Sequence, residues 1–78
     1  GYNERQTAVL QWLKEEGTKV VTIRELRSVY GVSKETARTD LTALVEKGWI
    51  KYYHINKKTY AFVKDAGFDE QLTTIQAL

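Results

Sequence analysis

The sequence predicts an α+β fold: a three-helix bundle, then a small β-hairpin, then a short C-terminal helix. Three observations predict it. Apolar residues recur at helical spacing through the first half, in segments opened by capping residues and closed by glycine. After Gly48 the pattern changes to aromatic and β-branched runs over residues 49–53 and 59–63, which favour strands. In the tail, Phe68, Leu72 and Ile75 fall at i, i+4 and i+7. A length of 78 residues is that of one domain, able to bury about 60–65% of its unfolded surface.

The first helix is expected over residues 3–16. Asn3 suits its N-cap, and Glu4 suits the positive end of the dipole. Val9, Leu10 and Leu13 form its stripe, with Gln6 on the same side and Trp12 at the edge. Gly17 is expected to close it in the left-handed conformation. Residues 18–21 are short and rich in β-branched side chains, a brief strand that docks later against the hairpin. The second helix opens on a capping box, in which Thr22 accepts from the Glu25 amide and the Glu25 side chain reaches back. Ile23, Leu26 and Tyr30 form its inner face, Gly31 ends it, and Val32 plugs the turn. Ser33 caps the third helix, which ends at Lys47-Gly48. Residues 54–58 are polar and form the hairpin tip, with the lone histidine, His54, as a loop residue. Residues 69–77 form the fourth helix. The unit over residues 1–66 is a winged helix-turn-helix, and 67–78 is a helical extension.

Two short amphipathic helices around a Gly-Val-Ser turn make the build of a DNA reader, in which one helix braces while the next enters the major groove. The charge distribution agrees. Residues 19–64 hold ten Lys or Arg against four acids, a net +6, between an N-terminal segment of −1 and a tail of −3. Without cysteine there is no disulfide, thiolate metal site or thiol catalysis. No carboxylate pair, phosphate loop or dinucleotide glycine motif points to an enzyme, and no cofactor or metal is expected. No apolar run is long enough to span a membrane and no signal-peptide pattern opens the chain, so a cytoplasmic location is expected.

The third helix carries the chemistry. Ala37, Leu41, Leu44 and Val45 share the packing face, and Lys34, Glu35, Arg38, Thr39, Thr42 and Glu46 the opposite arc. Arg38 suits a bidentate grip on guanine, and Lys34 a guanine or a phosphate. Thr39 and Thr42 suit bases, phosphates or a thymine methyl. Ser33 and the free amides of the helix start suit a phosphate oxygen. Glu35 either accepts from cytosine N4 or stabilises the helix start. Asp40 has a structural role, pairing with Arg24 or Arg27. Lys51, Lys57 and Lys58 place positive charge along the hairpin, over the minor groove or its phosphates. Trp49, Tyr52, Tyr53, Tyr60 and Phe62 read as core cover in preference to stacking platforms for single strands. The tail stripe Phe68, Leu72, Ile75 either folds back on its own domain or meets its copy in a homodimer.

Residues 32–50, VSKETARTDLTALVEKGWI, together with ERQ and VLQWL before them, resemble the winged helix-turn-helix of DeoR-type repressors. Val32-Ser33, Thr36, Arg38-Thr39-Asp40-Leu41 and Leu44 to Gly48 carry the likeness, over residues 4–50. The chain departs from that pattern in a hairpin without glycine and in Thr36-Ala37-Arg38, where an aliphatic residue and paired arginines are more typical. The Asn-Glu-Arg-Gln start and the Lys-Thr-Tyr return strand are similar to the winged helices that end Fic-type proteins and ATPase-like bacterial regulators. The first resemblance implies a double-stranded DNA-binding module of a bacterial transcriptional regulator, with Ser33, Lys34, Glu35, Thr36, Arg38, Thr39 and Thr42 of the reading helix at the DNA. The second implies a regulatory, protein-binding module joined to other domains of a longer protein.

Overall fold

The computed structural model describes the backbone of residues 2–77 and the side chains of residues 2–72. The elements run α1 (Glu4–Glu15), β1 (Val21–Thr22), α2 (Ile23–Tyr30), α3 (Lys34–Glu46), β2 (Ile50–Asn56), β3 (Thr59–Lys64) and α4 (Gly67–Ala77).

Local chemistry sets most of the boundaries. Asn3 caps α1 in a reciprocal box with Gln6: its side chain accepts from the Gln6 amide at 2.8 Å, and its own amide donates to Gln6 Oε1 at 3.1 Å. Gly17 does not close α1. The cap is Glu16, whose amide donates to the Trp12 carbonyl, and the left-handed glycines among the described residues are Gly31 and Gly48. At α2 only half of the expected capping box forms. Thr22 Oγ1 accepts from the Glu25 amide, but the Glu25 carboxylate instead takes Lys19 Nζ at 3.0 Å. Gly31, at φ 64°, ends α2, and Val32 packs against the core in the turn as expected.

The three strands form one antiparallel sheet in the order β1-β3-β2. The brief first strand is Val21–Thr22, pairing with Phe62 and Ala61. The hairpin is longer than its polar composition suggests. β2 continues to Asn56, so His54 is no loop residue but a strand partner of Tyr60, with ring centroids 4.4 Å apart. Lys57 and Lys58 alone turn the corner. Asn56 Oδ1 accepts from the Lys58 amide, and a register shift between His54 and Asn56 absorbs Ile55. The tip therefore closes without a glycine or a positive φ.

One core joins all the layers: Val9 and Leu13 of α1, Leu26 of α2, Ala37, Leu41 and Leu44 of α3, Val21, Ile50 and Phe62 of the sheet, with Trp49 and Phe68. Truncating any one of its leucines to alanine costs about 2–5 kcal/mol. Phe68 is 1% exposed and meets Trp49 edge-on at 5.4 Å, so the start of α4 folds back on its own domain. Phe68 is thereby withdrawn from any dimer surface. Leu72 packs beside it, half-buried, and the Ile75 side chain lies outside the described residues.

The wing aromatics divide. Trp49 and Phe62 are buried and Tyr60 is half-buried, whereas Tyr52 and Tyr53 are 54% and 49% exposed and do not fill the core. Tyr52 meets Tyr60 edge-on at 5.6 Å and covers the rim of the sheet, while alternation puts Tyr53 on the opposite face.

Candidate nucleic-acid interface

α3 is held from three sides, and what remains is its polar arc. Its buried residues are Ala37, Asp40, Leu41 and Leu44, so one flank packs on α1 and α2 while Val45 leans on the sheet. Lys34, Glu35, Arg38, Thr39, Thr42 and Glu46 are all exposed, as helical spacing predicts. Ser33 caps the helix, accepting from the Thr36 amide at 3.1 Å and donating to Thr36 Oγ1 at 3.0 Å. Both hydroxyls are thus engaged at the cap. The amides of the first turn, Lys34 and Glu35, are left without helical acceptors and point out of the helix start.

Asp40 is structural, but its partners are neither Arg24 nor Arg27. It is 5% exposed and faces the start of α1, where it forms an ion pair with Arg5 and accepts from Asn3 Nδ2 at 2.7 Å. Gln6 Nε2 donates to the Asp40 carbonyl at 3.2 Å. The reason is angular: on α3, Asp40 falls on the side of Ala37 and Leu44, which turns toward α1 and not toward the exposed arc. The Arg5 guanidinium is held in its charged form above its ordinary pKa, first by its hydrogen bond to Asp40, against a smaller opposing effect of desolvation.

The wing reaches the same arc. Ile23 of α2, Arg38, Thr42 and Val45 of α3, and Tyr52, Tyr60 and Phe62 of the hairpin line one open cleft of about 190 Å³. Arg38 and Thr42 therefore form one wall and the hairpin the other. Side chains alternate across a strand, so the register groups Ile50, Tyr52 and His54 with Phe62 and Tyr60 on the helix-facing side. Lys51, with Tyr53, Ala61 and Val63, falls on the opposite face. Of the three wing lysines, only Lys57 and Lys58 at the tip are clear of both faces.

The cations sort by partner. Among the described residues, ion pairs engage Arg5, Lys19 and Lys64, and Lys47 Nζ lies 4.2 Å from the centre of the Tyr2 ring. Lys34, Arg38, Lys51, Lys57 and Lys58 are exposed and make no ion pair there. The same holds for Lys14 on α1, away from this arc, and for Arg24 and Arg27, which line a second cleft with Ser28, Gly31 and Val32. The sequence offers one or the other of these arginines as the partner of Asp40. The signal against it was the spacing of α2, whose inner face of Ile23, Leu26 and Tyr30 turns Arg24 and Ser28 outward.

A helix-turn-helix whose second helix exposes a polar arc of mixed charge, with Lys34 and Arg38 among its residues, flanked by a hairpin with a lysine tip, is the architecture of winged-helix DNA-binding regulators. The sequence model of the DeoR-like helix-turn-helix domain matches residues 5–54, and the chain belongs to that family. It is a DNA-binding module of the kind transcription regulators carry, a family and fold not typical of enzymes. Solved structures share the fold at low identity. A MarR structure superposes with a TM-score of 0.71 at 23% identity, over 96% of this chain and 55% of that one. Reduced HlyU from Vibrio cholerae gives 0.69 at 18%, over 94% and 73%. A MarR protein from Peptoclostridium difficile gives 0.67 at 18%, over 96% and 49%. The chain thus spans about half the length of the MarR proteins it superposes on. No protein of curated function shows significant similarity. Among the described residues no helix is long and apolar enough to cross a membrane, and no group of three or more His, Cys, Asp or Glu is placed to hold a metal ion.

Proposed function

We propose that this chain reads double-stranded DNA for a bacterial transcriptional regulator, with the helix over residues 33–47 in the major groove and the hairpin over the adjacent phosphates or minor groove. The observation that carries the reading is the sorting of cations. Among the described residues Arg38 makes no ion pair on the wall of the cleft shared with the wing, nor does Lys34 at the helix start, nor do the tip lysines. Arg38 supplies bidentate recognition of guanine, Thr39 and Thr42 flank it, and Lys57 and Lys58 supply charge to phosphate. Lys51, on the outer face of the sheet, contributes to the field more than to contact. The unit acts in the cytoplasm, where its DNA lies. A second copy joins through the tail, where Leu72, half-buried, is the described apolar residue of the stripe that keeps some exposure in place of the buried Phe68.

The test is fluorescence anisotropy of a labelled duplex of about 30 base pairs at about 50 and 200 mM salt, because each neutralised phosphate contributes about −0.9 to the log–log slope. Steep weakening with salt is expected. On a selected site, Arg38→Ala should cost about 1–3 kcal/mol and relax preference at one position. An unchanged affinity for that variant would remove α3 from the major groove.

A further inference from the structure

Tyr2 lies ahead of every helix and strand, yet it is tied to the far end of α3. Its hydroxyl accepts from Trp49 Nε1 at 2.7 Å, its ring meets the Trp49 ring edge-on at 6.3 Å, and Lys47 Nζ lies 4.2 Å from its centre. Lys47 and Trp49, with Gly48 between them at φ 83°, are the joint between the reading helix and the wing: α3 ends at Glu46 and β2 begins at Ile50. Trp49 is 2% exposed and also packs against Phe68. Its amide donates to the Leu44 carbonyl, and its carbonyl accepts from the Asp65 amide, each at 3.1 Å. The rest of the hairpin is held at its base, by Ile50 and Phe62 in the core and by β1 at Phe62 and Ala61. A strand rises about 3.3 Å per residue, so the seven residues of β2 carry the tip about 20 Å out. A turn of about 10° at the joint then moves Lys57 and Lys58 by about 3–4 Å, more than the length of a hydrogen bond.

We propose that Tyr2 is a positioning residue for DNA reading: through Trp49 it locks the joint between α3 and the wing, so that Arg38 and the tip lysines meet one stretch of duplex together. The inference rests on the DNA-binding reading and adds to it a residue that acts from outside the interface. The chemistry suits a lock. The indole N–H belongs to a residue almost without exposure, so it needs the acceptor that the phenol supplies. The Tyr2 ring at the same time takes the Lys47 ammonium, a cation–π contact from the helix side of the joint. One side chain thereby holds both the residue before Gly48 and the residue after it. Held in this way, the helix and the wing engage the duplex as one body, and the second contact forms without a further ordering cost.

The experiment measures anisotropy of a labelled duplex across a salt series for the wild type, Tyr2→Ala and Tyr2→Phe, each with and without Lys57→Ala and Lys58→Ala. In the wild type the tip pair is expected to contribute about 1.8 to the magnitude of the log–log salt slope, from two phosphates at about 0.9 each. Tyr2→Ala should remove most of that contribution with both lysines still present, and removing the lysines in its background should then change the slope little. Tyr2→Phe keeps the ring against Trp49 and Lys47 and loses only the hydroxyl, so its slope should fall between the two. Loss of stability alone does not imitate this result, because partial unfolding lowers the concentration of active protein and scales binding by one factor. Thermal melts confirm that each variant is folded at the assay temperature, and Tyr2→Phe, which removes a single oxygen, carries the test if Tyr2→Ala unfolds. A wild-type slope in both Tyr2 variants, or a tip pair that subtracts as much slope there as from the wild type, would overturn the positioning role and leave the DNA reading standing. A tip pair that changes no slope in the wild type would also overturn it, since the joint would then hold a wing that meets no phosphate. A wild type with no salt-dependent binding would overturn both this role and the DNA reading beneath it.

Discussion

Asp40→Ala tests a long-range tie between the start of α1 and the middle of α3. Three hydrogen bonds converge on this carboxylate: from Asn3 Nδ2 at 2.7 Å, from Arg5 Nη2 at 3.3 Å, and from Arg5 Nε. Removing a buried acid next to a buried cation costs about 3–5 kcal/mol, because the orphaned charge stays buried. That figure does not apply here. The Arg5 side chain is 27% exposed and Asn3 is exposed, so both donors turn to water in the variant. The loss is then the net worth of hydrogen bonds to a charged acceptor, about 2 kcal/mol. In a domain of this size that lowers Tm by roughly 8–16 °C. Asp40→Asn should cost nearly as much, since its amide NH₂ would face the Arg5 guanidinium, donor against donor. Arg5→Ala should cost less than Asp40→Ala, and the double variant less than the two singles summed. The Arg5 contribution carries a pH signature by its absence. A cation whose folded pKa is raised stabilises fully below its unfolded pKa and loses that contribution only as pH climbs through the folded value. For arginine both values lie in strong alkali, so its titration adds no slope between about pH 6 and 9. Thermal melts followed by circular dichroism decide the matter. A Tm for Asp40→Ala within about 3 °C of wild type, or strictly additive singles, would refute the coupling of α1 to α3 through this carboxylate.

Phe68→Ala should destabilise by about 3–5 kcal/mol, as a core position does, and urea unfolding would show it; a change below about 1 kcal/mol would mean that α4 is not part of the folded unit. Gly31→Ala should cost about 1–2 kcal/mol through backbone strain at φ 64° alone, since its Cβ meets nothing. Gly31→Asn, which tolerates that conformation, should cost less by the same urea assay. Lys57→Ala with Lys58→Ala should lower the salt slope of DNA binding and weaken all sequences equally, read by anisotropy; a sequence-dependent loss would place the tip lysines on bases.

The parts of the fold that were legible in the sequence are those fixed within three or four residues. Caps at Asn3, Thr22 and Ser33, the left-handed Gly31, and the buried faces of α2 and α3 all follow from such spacing. The errors at Glu25, Asp40 and residues 54–58 share a cause in contacts that reach beyond that spacing. Glu25 fits a capping box locally, but Lys19 outbids its return bond, and that cation is brought over by the segment leading into β1. Asp40 sits 35 residues from Arg5, and no local pattern selects Arg5 over the nearer Arg24 and Arg27. The polar composition of residues 54–58 read as a loop because strand pairing with Tyr60 and Thr59, not propensity, extends β2 to Asn56. The face of Lys51 was available from alternation alone, since Ile50 and Phe62 point inward and Lys51 must then point out.

The two halves of the candidate interface differ in how tightly they are held, and that difference bears on how each contributes. Arg38, Thr39 and Thr42 project from a helix clamped by the core and by the Asp40 network, so little ordering of backbone remains to be done on binding. Discrimination between bases needs such rigidity, because a bidentate contact displaced by an ångström loses its geometry while still bearing its desolvation cost. Lys57 and Lys58 sit at the turn of a hairpin whose outer strand is an edge, with exposed side chains and no ion pair among the described residues. Phosphate recognition tolerates that freedom, since a point charge on a flexible stem finds a diester oxygen from many rotamers. Loosening α3 through Asp40 should therefore narrow the gap between preferred and random DNA before the domain unfolds.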